Sequence, residues 1–203
     1  MSKIVVSEFV SLDGVMEAPG GGDTYEHAGW AFQFSRGPDG DKFKFDELMK
    51  ADALLLGRVT YEGFAQAWPS MPSDEGGYAD KMNSMPKFVV STTLEKAEWT
   101  NSTLLTGNIA EEVSELKQQL GGDILVNGSG DLIKTLMEHD LIDEYRLMVF
   151  PIVLGGGQRL FADGSKLTTL RLVQATPVGS DGVVVLTYEP VRAGKQASDP
   201  TGA

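Results

Sequence analysis

The chain has 203 residues, a net charge of −12 and no cysteine, with 41% hydrophobic and 23% charged residues. That is the balance of a globular chain with one sizeable core. It excludes disulfides, thiol nucleophiles and cysteine-held zinc, and the acidic charge without a Lys/Arg cluster excludes a nucleic-acid surface.

The elements follow in chain order. Residues 3–10 (KIVVSEFV) read as a buried strand. A Gly/Pro-rich loop runs from 11 to about 40 and carries Trp30 and Phe32, so it is expected to fold over something. Residues 41–50 place Phe45, Leu48 and Met49 on one helical face. ALLLG (53–57) is a short buried strand, RVTYEGFAQAW (58–68) a helix ended by Pro69, and a short helix lies around 76–84. KFVVS (87–91) and STLL (102–105) read as strands. Ile109, Val113, Leu116 and Leu120 recur at helical spacing, giving an amphipathic helix over 109–120. DILV (123–126) is a strand, and the helix opening at Ser129 follows. EYRLMVF (144–150) is a further strand, PIVLGGGQRLF a loop, and two β-rich runs flank Gly179-Ser180-Asp181-Gly182 as a hairpin.

Strands alternating with helices predict an α/β fold with a mostly parallel central sheet and a C-terminal antiparallel hairpin. One domain is expected over 1–192, with a polar, loose tail over 193–203. MSKIVVSEFV lacks the pattern of a signal peptide and no run reaches about 18 apolar residues, so a cytoplasmic protein is expected. Only His27 and His139 are present and there is no HExxH, so no metal site is expected.

In such a sheet, ligands bind beyond the carboxyl ends of the strands. Three strand ends carry anion-friendly chemistry. The strand ILV runs into Asn127-Gly128-Ser129-Gly130 and then a helix, whose free N–H groups and dipole suit a phosphate. The alternative is a tight turn with Ser129 as N-cap and Asp131 satisfying the dipole. Arg58 and Thr60 open the next such helix. A cation there is unfavourable for the dipole and implies an anion, unless the arginine snorkels to solvent. Ser91 and Thr92 supply hydroxyls at a third strand end. Together they fit an extended nucleotide across the sheet edge.

ALLLGRVTYEGF resembles the GRxT[YW]E segment of dihydrofolate reductases. ILVNGSGDLIKTLMEHDLIDEYRLMVFPIVLGGGQRLF, with SLDGV near the start, resembles the reductase domain of the bifunctional riboflavin-biosynthesis deaminase–reductase. The likeness spans roughly residues 3 to 190. It implies a dihydrofolate reductase-like three-layer fold with a sheet of about eight strands, NADPH as cofactor, and a homodimer. It implies that Gly128, Ser129 and Gly130 hold the pyrophosphate and that Arg58 and Thr60 contact the phosphates and adenosine side. Ser91 and Thr92 fall near the 2′-phosphate, and Asp13 at the nicotinamide and substrate end. Gly155 and Gly156 border the pocket. Apart from the resemblance, the loop from 11 to 40 with Trp30 and Phe32 is expected to serve as a lid over the substrate pocket. The deaminase signature HxE…PCxxC needs cysteines this chain lacks, so that activity is excluded.

The expected activity is hydride transfer from NADPH to a pterin- or pyrimidine-like heterocycle, of the 5-amino-6-(5-phosphoribosylamino)uracil reductase type. A non-catalytic nucleotide-binding dimer or sensor is the alternative. Asp13 is the candidate for orienting a ring N–H or relaying a proton, against an Asp-Gly turn. Asp41, 16 residues before Gly57, is the alternative catalytic carboxylate, against an exposed aspartate at a helix start. Gly128→Val is expected to abolish cofactor binding and leave the protein folded.

Overall fold

A computed structural model describes residues 1–22, 24–73 and 77–192; the tail expected over 193–203 lies outside them. Eight strands form one sheet in the order β4-β3-β2-β5-β1-β6-β8-β7. They are β1 (Ile4–Ser11), β2 (Ala51–Gly57), β3 (Lys87–Val90), β4 (Ser102–Leu105), β5 (Asp123–Val126), β6 (Glu144–Phe150), β7 (Leu170–Val178) and β8 (Val183–Pro190). The pairings from β4 across to β6 are parallel, and β8 is antiparallel to both β6 and β7.

The central strands β1, β2 and β5 read as largely apolar runs because both faces are covered. Successive side chains point to opposite faces. Ile4, Val6, Ala53, Leu55, Ile124 and Val126 therefore pack on one side, with α4 (Ile109–Gln119) and α5 (Gly130–Glu138). Val5, Leu54, Leu56 and Leu125 pack on the other, with α1 (Gly37–Lys50), α2 (Arg58–Ala67) and α3 (Tyr78–Ser84).

α1 begins at Gly37, earlier than the expected residue 41. Gly37-Pro38-Asp39-Gly40 looks like a turn, but Pro38 lies in the first helical turn, where its missing N–H is harmless. Asp41 thus sits inside the helix rather than at its start. Among the described residues, no helix is long and apolar enough to cross a membrane.

Candidate active site

β1 pairs with β5 only from Ile4 to Val6, yet runs on beside β6 to Ser11. Past Val6 and Val126 the two strands no longer pair, and this parting at the carboxyl ends of the strands is the candidate crevice between β1 and the β5–α5 turn. Asn127 Nδ2 donates to Ser7 O at its base (2.8 Å). The ends of β3, β2, β5 and β1 are consecutive along this edge. At about 4.8 Å per strand they span about 14 Å.

The β5–α5 turn is locked to β2 and α2. Ser129 Oγ accepts from the Gly57 N–H (2.9 Å) and donates to Asn127 O (3.0 Å). The Ser129 N–H donates to Thr60 Oγ1 (2.8 Å). Gly128 and Ser129 both have positive φ, 56° and 62°. A Cβ at Gly128 would lie 2.7 Å from Thr60 Oγ1. Gly128 is therefore held by the packing of two turns, and a side chain there strains that packing as well as any cofactor site. Ser129 does not cap α5 through its side chain. At Gly130, a Cβ would meet the Gln158 amide at 2.6 Å. Arg58 is exposed and pairs with Glu62 one turn on (2.8 Å). Ser91 Oγ accepts from the Thr93 and Leu94 N–H groups (3.2 and 2.9 Å), closing the turn after β3, while Thr92 is exposed.

Asp13 lies at the far end of β1. It accepts from Ser11 Oγ (2.7 Å), the Leu154 N–H (3.1 Å) and the Gly155 N–H (2.8 Å). These bonds, the Ser11 hydroxyl foremost, lower its pKa to about 2. An ionised carboxylate so engaged anchors a loop and has no proton to give near neutrality. Gly156 O accepts from the Tyr25 hydroxyl (2.6 Å).

Trp30 is fully buried, donates through Nε1 to Glu17 O (2.8 Å) and packs edge-on against Phe150 (5.4 Å). It supports the loop from behind. Phe32 is 78% exposed and lines a groove of about 430 Å³ with Phe9, Phe34, Phe150, Arg36 and Asp41. Arg36 and Lys44 flank the Phe9 ring at 5.3 and 5.4 Å. Asp41 is exposed and pairs with Arg36 (2.6 Å).

Two groups escaped the sequence reading. Glu47 of α1 is buried, accepts from Ser7 Oγ (2.8 Å) and forms an ion pair with Lys44. Glu8 is 5% exposed within β1, and its Oε1 has no hydrogen-bond partner among the described residues. Burial raises its pKa well above the usual carboxylate range. The signal was present in KIVVSEFV: an acid between Ser7 and Phe9 in a strand that otherwise reads as buried.

The RibD C-terminal domain family matches residues 2–184. The chain belongs to this family. Its reductase-type role follows from that membership. The uncharacterised Bacillus subtilis (strain 168) protein YyaP is 32% identical over 188 residues, covering 92% of this chain and 94% of YyaP. Among solved structures, a putative riboflavin biosynthesis protein from Shewanella sp. PV-4 superposes with a TM-score of 0.74 at 23% identity. That match covers 94% of this chain and 99% of the other. Dihydrofolate reductase from Enterococcus faecalis, complexed with NADP(H), superposes at 0.57 and 14% identity, covering 93% and 96%. Acinetobacter baumannii RibD gives 0.64 at 15% identity, covering 94% of this chain and 58% of that one. The fold is the dihydrofolate reductase-like one.

Proposed function

We propose that the protein is an NADPH-dependent reductase acting on a flat pterin- or pyrimidine-like heterocycle, as a cytoplasmic homodimer. The observation that carries this reading is the end of the β1–β5 pairing at Val6 and Val126, with the N-termini of α2 and α5 at the same edge of the sheet. The donor set suits a phosphorylated dinucleotide. First-turn N–H groups of α2 and α5 are unused within their helices and favour anions. Among the described residues Arg58 is tied by an exposed ion pair to Glu62, and such pairs contribute about 0.3–0.5 kcal/mol. It is free to turn to a phosphate, with the Thr92 hydroxyl beyond β3.

Bound NADPH would supply the hydride. The chain's part is to hold and orient. Gly57, Thr60, Gly128 and Ser129 fix the two turns against each other, so the cradle is rigid before ligand arrives. The groove over Phe9 offers aromatic walls for a flat ring, and Arg36 offers a cation for an acidic edge. Asp13 contributes by anchoring Leu154 and Gly155 beside that end of β1.

The test is NADPH fluorescence on titration, followed by NADPH oxidation with a panel of pterins and pyrimidines. Saturable binding and turnover of one panel compound are expected. No binding overturns the reading, and binding without turnover assigns the chain to a non-catalytic nucleotide module.

A further inference from the structure

Glu8 stands one residue from Phe9 on β1, and the two side chains point to opposite faces of the sheet. Phe9 looks into the groove beside α1. Glu8 lies between Val6 and Val10, which belong to the core on the α4–α5 face, and pairs in register with Leu147. Val6 is opposite Val126, so Glu8 falls level with Gly128, just past the end of β5. The Gly128 N–H points at its carboxyl. The carboxyl therefore lies at the point where β1 and β5 cease to pair. A buried carboxylate in this apolar setting lacks the partners that an ionised group needs.

We propose that Glu8 is a redox-linked carboxyl, protonated beside a neutral reduced nicotinamide and ionised beside the cationic oxidised one. This rests on the reading that the crevice takes the nicotinamide end of the cofactor. Bound NADPH would gain one positive charge on giving up its hydride, and Glu8 would then lose the proton on its carboxyl, so that the charge beside it is balanced in place. The oxygen–hydrogen bond breaks, its electron pair stays on the carboxylate, and the proton leaves through the crevice. A heterocycle that accepts a hydride needs one proton to stay neutral, and Glu8 releases one per turnover. Solvent returns it when fresh reduced cofactor binds.

Other charges bear on Glu8 from α1, where Lys44 favours ionisation and Glu47 opposes it. Arg58 and Asp131, in the first turns of α2 and α5, are both exposed and more strongly screened. On the face that Glu8 itself occupies, its neighbours Val6, Val10 and Leu147 are apolar.

The experiment needs no substrate. NADP⁺ and NADPH are titrated calorimetrically into the protein from pH 6 to 9, in buffers of different ionisation enthalpy. NADP⁺ binding is expected to release up to one proton and to tighten with pH by up to about tenfold per unit. NADPH binding is expected to release none beyond the shared 2′-phosphate contribution, which cancels in the comparison. Glu8→Gln should remove the difference between the two nucleotides. A ¹³C-carboxyl titration of the wild-type protein is an independent check, since it does not depend on the variant folding. An ionised Glu8 at pH 7 in the free protein, or equal proton release for both nucleotides, overturns the proposal. If neither nucleotide binds, the reductase reading fails instead, and the binding isotherm alone shows it.

Discussion

Ser129 Oγ accepts a hydrogen bond from the Gly57 backbone N–H at 2.9 Å, joining the ends of two neighbouring strands that are 72 residues apart in sequence. Ser129→Ala leaves that partly buried N–H without its partner. It should destabilise the protein by about 1–3 kcal/mol in denaturant unfolding. NADPH binding should weaken several-fold, because the cradle loosens.

Gly128→Ala should be more damaging than its size suggests. The residue has φ of 56°, where an alanine is strained, and the new methyl meets Thr60 Oγ1 at 2.7 Å. Strain of this kind costs about 1–3 kcal/mol before the clash is counted. A fall in the thermal midpoint without added nucleotide is the expected result. Gly128→Val should be worse.

Asp13 predicts an acid limb. Its pKa is lowered from 3.8 to about 2, chiefly by the Ser11 hydroxyl and the Leu154 N–H. A depressed carboxylate stabilises the fold above its unfolded pKa, and that contribution is lost as pH falls from about 4 to 2. Asp13→Asn should therefore lower the thermal midpoint at pH 6 and converge with the wild type near pH 2. A constant gap across that window would remove Asp13 as the anchor.

Arg58 should decide cofactor choice. Charge-assisted bonds contribute about 1.5–3 kcal/mol each, so loss of one to the 2′-phosphate is roughly a 10- to 150-fold change. Arg58→Gln should weaken NADPH by that order and leave NADH almost unchanged. Equal affinity of the wild type for both nucleotides would count against Arg58 and Thr92 together.

The dimer expectation concentrates on the sheet edge. β7 exposes Leu172 and Val173 at 50% and 48%, at a register shift in its pairing with β8. Exposed apolar edge strands invite pairing with another chain. Light scattering at micromolar concentration should give a dimer mass, and Leu172→Lys with Val173→Lys should shift it to monomer. A monomeric wild type refutes this interface.

All eight strands were legible: the central ones are continuous apolar runs covered on both faces, and the exposed β7 was marked by the hairpin signal at Gly179-Ser180-Asp181-Gly182. The start of α1 was not, since Gly37-Pro38-Asp39-Gly40 has turn chemistry and only packing decides for helix. Gly128-Ser129-Gly130 was legible as a special turn. Its partners Gly57 and Thr60 were not, being contacts between distant segments. Trp30 and Phe32 looked equivalent in a loop, yet one is core and the other faces the groove. Asp41 was read either as a catalytic carboxylate or as an exposed aspartate at a helix start; it is exposed, lies inside α1 and pairs with Arg36. Glu8 was passed over because a strand reading treats the run as a whole, and the one residue that breaks the pattern was absorbed into it.

The lacing between the loop after β1 and the loop after β6 has a historical consequence. Asp13 holds Leu154 and Gly155, Tyr25 holds Gly156, and Glu17 holds the Gln158 N–H (2.7 Å). Residues 51–126 supply β2 to β5, while β1, β6, β7 and β8 come from the chain on either side. A descendant acquiring a new substrate can thus leave 51–126 untouched. It cannot change one laced loop alone, however, because each is moulded on the other. The pair must be inherited, grafted or redesigned together.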